Sequence, residues 1–473
     1  MKLLKDYAVL ASGQIAARLL GFLAFAWLAR TLDPEAYGAV EYVIGLSGLV
    51  AMLIDGGPGI VGVRRLAHEP AGLGGLAFQV LTARLVLVAV GAPLVALVAI
   101  STMKSAVPAA LVWLFALSLL AAPWRQEWLF QATARLSNVA LAQIVRASIF
   151  AVVVWTLVRG PHDLILVGWA EIAAVTALSA YCIHIQHTRI TPFRLSGSLR
   201  GFTAFMKESA AAGSSNLVWA MSQYAPLFMI GALVGGLQTA WFAAAARLIG
   251  SLLVVSYVYH YGLYPAVAHA MARAHHTLAT LLAGSCRVAA WGGIFAALTL
   301  TLLAEPLMIL AMGSKLAAAA PMLQVMAWVL PVSLCSGHAR WALAAAGAQT
   351  QVLLAQTAGL IATVGVGLLL GPSAGALGYS FAALAGFVAV WVVAQVSAAR
   401  RGLHPPPFRL AAKPALLAAA IFFAAQALQS PPWLSLAWLA LYITAGPLVD
   451  RKLLRDFSGL GRAALGLGAA RRG

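Results

Sequence analysis

The sequence predicts an all-α integral membrane protein with about 14 transmembrane helices, and three observations carry that expectation. Of its 473 residues, 62% are hydrophobic and 9% charged, with a mean hydropathy of +0.90, a composition foreign to soluble globular domains. Its apolar residues are gathered into runs of about 20, the length a helix needs to cross a hydrocarbon core. Its basic residues fall almost entirely on one side of those runs.

The runs lie at 7–29, 37–61, 76–100, 106–122, 136–158, 164–185, 209–233, 238–264, 279–303, 318–337, 349–371, 374–398, 411–428 and 433–449. The first is too long for the core of a cleavable signal and carries Arg18, so a retained helix is expected. With the N-terminus in the cytoplasm, 22 of the 31 Lys and Arg fall in cytoplasmic segments, and only Arg30, Lys104, Arg159 and Lys315 fall outside. That asymmetry predicts cytoplasmic termini. It also accounts for most of the net charge of +18 with no nucleic-acid partner. Trp124, Arg125 and Trp128, at the end of the fourth run, have the character of an interfacial anchor, and Arg340 is expected in a cytoplasmic loop. Cys182, Cys286 and Cys335 show no paired spacing, so neither disulfides nor a metal site is indicated. His275 and His276 likewise lack companion ligands.

Five arginines remain inside the runs: Arg18, Arg84, Arg146, Arg247 and Arg287. Arg18 stands roughly 16 Å along the helix from Tyr7. The acidic candidates there are Glu41 and Asp55 in the second run and Glu171 in the sixth. An ionisable side chain at membrane depth faces a bundle interior or a watery cavity, so guanidinium groups in excess of carboxylates predict an anionic ligand. Arg84 and Arg287, about two turns from a cytoplasmic end, can alternatively snorkel. Asp55 can neutralise an arginine such as Arg18 or take part in proton or sodium coupling. The Gly56-Gly57-Pro58-Gly59 run after it is expected to break or bend the helix.

Asn216, Trp219 and Gln223 share one face of the seventh helix, and Tyr257, Tyr261 and Tyr264 are similarly spaced on the eighth. Such amides and aromatics suit a sugar, or bond and pack between helices. His260, among the tyrosines, can titrate near neutral pH or serve the core. A weak internal repeat pairs LDPEAYGAVEYVIGLSGLV from Leu32 with VGGLQTAWFAAAARLIGSLL from Val234; at an offset of 202 residues Gly38 meets Ala240 and Gly48 meets Gly250. It predicts an N-terminal six-helix lobe (1–190), a basic cytoplasmic linker (191–208) and a second six-helix lobe (209–400). Two additional helices (401–449) and a basic cytoplasmic tail (450–473) complete the chain.

Several segments resemble the oligosaccharide flippase family, the Wzx or O-antigen transporters, within the superfamily that includes multidrug and toxin extruders. They are ARLLGF at Ala17 to Phe22, LARTLDPEAYGAV at Leu28 to Val40, LIDGGPGIVGVRR at Leu53 to Arg65, and EPLMILAMGSKLAAAAPMLQVMAWVLP from Glu305 to Pro331. The resemblance implies two six-helix lobes around a central cavity that opens alternately to each face. It implies movement of a polyprenyl-diphosphate-linked oligosaccharide from the inner to the outer leaflet. Arg18 matches the arginine before Leu-Leu-Gly-Phe in that family's first helix, where its partner would be the diphosphate. Many relatives carry an acidic residue in helix seven where this chain has Gln223-Tyr-Ala-Pro226, which puts ion coupling there in doubt.

The expected function is therefore an oligosaccharide-lipid flippase of a bacterial inner membrane, with no catalytic residues and no cofactor. Membrane lipids and other polysaccharide-assembly proteins are its expected neighbours. Multidrug export would want acidic groups, and the peptidoglycan-precursor branch typically has an arginine-aspartate pair where this chain has Leu23-Ala24-Phe25. A membrane glycan polymerase or glycosyltransferase would need acids gathered on a sizeable external loop; Asp33, Glu35, Asp163 and Glu305 form no such motif.

Overall fold

A computed structural model describes residues 2–68, 73–102, 108–192, 197–273, 275–403, 406 and 408–464, and among these it is helical with no strand. The order is α1 (Lys2–Thr31), α2 (Pro34–His68), α3 (Leu73–Thr102), α4 (Ala109–Ser118), α5 (Glu127–Ala132), α6 (Leu136–Leu157), α7 (Leu164–Arg189), α8 (Phe202–Leu233) and α9 (Gly236–Arg273). There follow α10 (His275–Leu302), α11 (Ala304–Met312), α12 (Ala320–Met326), α13 (Val329–Ala345), α14 (Gln349–Arg400), α15 (Arg409–Ala427), α16 (Ser435–Val449) and α17 (Leu453–Ala464). Helices dominate because lipid offers the backbone no hydrogen-bond partner, so each crossing segment must satisfy its own.

Among the described residues, 12 helical segments are long and apolar enough to cross a membrane, where 14 were expected. The difference arises in two places. Helix α14 is a single run of 52 residues, about 78 Å if straight and more than twice a hydrocarbon core. It contains both expected runs 349–371 and 374–398, and its helical dihedrals fail at Gly375 (φ 53°, ψ −133°). A Cβ there would sit 2.7 Å from Gln238 Oε1, the oxygen that accepts the Ala376 backbone N–H at 2.9 Å; only glycine fits the bend. Helix α8 spans 32 residues but is diluted by Asn216, Ser222, Gln223 and Pro226, and it is not one of the 12.

The fourth crossing is interrupted: α4 passes through a 3-10 turn, Leu119–Trp124, into α5. Pro123 lies in that turn, where it cannot donate to a helical ladder, and Arg125 follows in an extended conformation. Trp128 is 3% exposed, its indole N–H donates to Gln126 Oε1 at 2.8 Å, and Gly62 opens a niche for its ring. This tryptophan is a core residue, a correction to the interfacial reading.

The chain divides into two compact units. Unit 1 comprises Met1–Arg247, Ala311–Leu316 and Gly371–Tyr379; unit 2 comprises Leu248–Leu310, Ala317–Leu370 and Ser380–Gly473. The boundary falls inside α9. Within unit 1, α2 packs along α8 and against α3, α1 along α6, and α7 against α4 and α6. Glycines permit the closest approach: Gly57 lies against the Ser209 carbonyl and Gly213. Gly56 and Gly57 therefore pack α2 on α8 while Gly59 faces Arg84 and Trp128, and α2 passes through the run, Pro58 included, without interruption. Gly38 and Ala240, matched in the internal repeat, touch one another. Within unit 2, α10 packs against α12, α13, α15, α16 and α17.

Candidate functional site

The intramembrane arginines of unit 1 find carboxylates from helices distant in sequence. The Arg84 side chain is fully buried, pairs with Asp55 and donates to the Arg125 carbonyl. Arg125 in turn binds Glu127 Oε2 at 2.7 Å, and Gln143 donates to the other oxygen of that carboxylate. This chain of α2, α3, α5 and α6 groups is charge-balanced, with Arg84 enclosed and Asp55 about a third exposed, at 34%. Arg84 does not snorkel, and the expected partner of Asp55, Arg18, is replaced by Arg84.

Two further pairs lie beside Tyr224 of α8. Arg146 on α6 meets Glu171 on α7 at 2.5 Å. Arg247 on α9 grips Glu41 on α2 with two nitrogens, Nε donating at 2.8 Å, while the Tyr37 hydroxyl donates to the same carboxylate at 2.7 Å. The Arg247 guanidinium lies 3.7 Å above the Phe25 ring, an added cation–π contact. Gly45 and Gly48 on α2 leave space against which Tyr224 packs, and Tyr224 stacks on Phe228 with centroids 5.7 Å apart.

Arg18 is different. It is exposed on α1. No ion pair or hydrogen bond neutralises Arg18 among the described residues. Arg18, Arg146 and Arg247 thus outnumber the carboxylates that pair with them, Glu171 and Glu41, by one, and Arg146, held at a single contact, keeps donors to spare. The unengaged planar donors of Arg18 and Arg146 are of the kind that suits an anion accepting several hydrogen bonds, where arginine surpasses lysine.

The fifth arginine, Arg287, belongs to unit 2. Its Nη1 donates to Asp456 at 2.7 Å and its Nε lies 3.1 Å from Asp450, acids beyond the last apolar run. Asn216 and Gln223 are half-buried on α8 and Trp219 is exposed, in unit 1, with Asn216 close over Gly56. Tyr257, Tyr261 and Tyr264 belong to unit 2, where their rings surround Trp341 of α13 with centroids 6.5, 6.5 and 5.4 Å away. Sequence reasoning missed Trp341, because the expected tenth run stopped at 337 while α13 continues to Ala345. The same extension carries Arg340 into the apolar segment Ser314–Ala345, which corrects its assignment to a loop. No cluster of metal-ligating side chains occurs among the described residues; the side chains of His275 and His276, the middle of the 191–208 linker and the end of the tail lie outside them.

Residues 3–271 match the family model described as polysaccharide biosynthesis protein. No curated protein matches the sequence significantly. The fold is similar to the lipid II flippase MurJ in an inward closed conformation, with a TM-score of 0.77, 12% identity, and 95% of this chain and 99% of that one covered. It is also similar to an inward-facing multidrug resistance MATE family transporter of the MOP superfamily (TM-score 0.63, 14% identity, 82% and 94% covered). A third similar structure is a MOP superfamily transporter from Pyrococcus furiosus described by a binding pocket of reverse polarity (TM-score 0.57, 14% identity, 84% and 95% covered). The family model spans more than half the residues: the chain belongs to the polysaccharide biosynthesis protein family.

Proposed function

We propose that this protein is a flippase that carries a polyprenyl-diphosphate-linked oligosaccharide from the cytoplasmic to the outer leaflet of a bacterial inner membrane, by alternating access and with both termini cytoplasmic. The observation that carries the reading is Arg18, an unneutralised guanidinium in the unit that also holds the Arg146 and Arg247 pairs. A flippase faces a solvation problem, since a charged, sugar-bearing head group cannot enter hydrocarbon unless polar groups replace its water. Arg18 offers an open fork to the diphosphate, and Arg146 has donors left to join it. Arg247, fully engaged by Glu41, contributes its field and becomes a ligand when that carboxylate yields. Asn216, Trp219 and Gln223 are candidates for sugar contact in unit 1, and the Tyr257, Tyr261, Tyr264 and Trp341 rings are candidates in unit 2. The family's role in polysaccharide biosynthesis and a neighbour described as a lipid II flippase both support a lipid-linked glycan over a drug.

The test is translocation of a fluorescent polyprenyl-diphosphate oligosaccharide in proteoliposomes, wild type against Arg18→Gln at matched thermal stability. Wild-type transport that falls at least tenfold in the variant is the expected result. Equal rates would return Arg18 to a structural role. Failure of both proteins to move the lipid, with uptake of an organic anion or drug instead, would overturn the cargo class.

A further inference from the structure

Unit 2 holds a buried polar cluster that the transport reading does not use. His260 on α9 and His338 on α13 are each 1% exposed, with ring centroids 5.0 Å apart and planes at 78°. His260 Nδ1 lies 2.7 Å from the Ser256 carbonyl, and His338 Nδ1 lies 3.0 Å from the Leu334 carbonyl. A carbonyl can only accept, so both imidazoles carry their hydrogen on Nδ1 and present a lone pair at Nε2. His338 Nε2 takes a hydrogen bond from the Ser285 hydroxyl of α10 at 3.0 Å. His260 Nε2 is buried with no partner.

Among the described residues, the ionisable groups that act on His260 are neutral or positive. From α13 the ionisable groups are His338 and Arg340; the Arg340 Nε is itself buried without a partner. From α9 itself there is Tyr259, with ring centroid 5.0 Å away, whose hydroxyl donates to the Ser285 carbonyl. The thiols of Cys286 on α10 and Cys335 on α13 adjoin Tyr259. Gly337 packs directly on the His260 ring, and a side chain there would collide with Cε1 and Nε2. The contact leaves no place beside Nε2 for water or an anion. An imidazolium in this packed arrangement would therefore stand uncompensated beside a guanidinium.

We propose that His260 Nε2 is a proton-binding site whose occupation separates α13 from α9 within unit 2. The packed contact and the proton exclude one another, so protons shift unit 2 toward a conformer in which Nε2 meets water. By linkage, any movement that opens the contact raises the proton affinity of His260 and takes up a proton below about pH 6.5. The site stands independently of the cargo; if the flippase reading holds, it couples transport to a proton gradient with no carboxylate in the α8 stretch Gln223–Pro226.

The test is amide hydrogen exchange of the full-length protein in nanodiscs from pH 8 to 5, followed in α9 around Ser256–Val267 and in α13 around Ser333–Leu343. Exchange is corrected for its intrinsic pH dependence. The expected result is an opening equilibrium that rises up to about tenfold per pH unit below about pH 6.5, where an imidazole in water takes up a proton. His260→Gln removes the response, and His338→Gln retains it. A flat wild-type profile overturns the site, as does an unchanged response in His260→Gln. If His260→Gln fails to fold, 15N-histidine spectra of the wild type decide: a buried imidazole that gains a second N–H at acid pH supports the site, and neutral buried imidazoles down to pH 5 overturn it.

Discussion

The two units solve the same problem, polar groups in an apolar segment, by opposite means. Unit 1 balances charge with charge: Arg84 with Asp55, Arg125 with Glu127, Arg146 with Glu171 and Arg247 with Glu41, leaving Arg18 over. Unit 2 joins histidine, serine and tyrosine by neutral hydrogen bonds, with the buried Arg340 guanidinium on the same helix as His338. Its one ion cluster draws Asp450 and Asp456 from beyond the last apolar run. The difference teaches what each interior can sense. Permanent pairs set a fixed electrostatic template on which one unmatched cation attracts an anion, whereas a neutral network with an open lone pair answers to protons.

The comparison can be broken most severely at Arg84. Arg84→Met leaves the Asp55 carboxylate unpaired and frees the Arg125 carbonyl. The expected loss is about 3–5 kcal/mol, read as thermal unfolding in detergent, and the double change Arg84→Met with Asp55→Leu recovers most of it. A smaller effect is expected at Glu41. Glu41→Gln weakens charge-assisted bonds to Arg247 and Tyr37 for about 1.5–3 kcal/mol, yet frees the Arg247 guanidinium. Calorimetric titration with soluble pyrophosphate should then show tighter binding than wild type, and weaker binding would contradict the template.

The smallest effect belongs at the edge of the apolar region, where Glu208 receives Arg64 and Arg65. Partial burial opposes its charge, but hydrogen bonds from the two arginines hold its carboxyl below the usual carboxylate range. A lowered folded value gives stability that is complete above the unfolded carboxylate value of about 4.3 and lost as pH falls through the folded one. Glu208→Gln should cost no more than about 1 kcal/mol at neutral pH and should flatten the stability profile below about pH 4.3. A steep acid profile in that variant would move the effect elsewhere.

Legibility differed sharply between spans and site. The apolar runs were visible because each crossing helix must be apolar over most of its length wherever it sits. The exceptions are instructive: α8 is thinned by its polar face, and α14 runs through a glycine whose bend is dictated by Gln238, 137 positions earlier. The five intramembrane arginines were visible as costs, but four of their partnerships were not. Glu127 was hidden in what read as an interfacial turn, and Asp450 and Asp456 in what read as a tail. Gly337 and His338 gave no signal beyond a glycine and a histidine in an apolar helix.

By itself the sequence determined that this chain is a helical membrane protein, that its basic residues favour one side, and that Arg18 needs an anion or a partner. These follow from composition and order along the chain, since hydrophobic length and the cost of buried charge are properties of single segments. Only the tertiary structure decided which carboxylate reaches which guanidinium and that Arg18 is the one left over. It alone set Gly56 and Gly57 to pack α2 on α8 and brought His260 against His338. Those outcomes depend on contacts of a few ångströms between helices tens or hundreds of residues apart, and no periodicity within one helix encodes the distance to another.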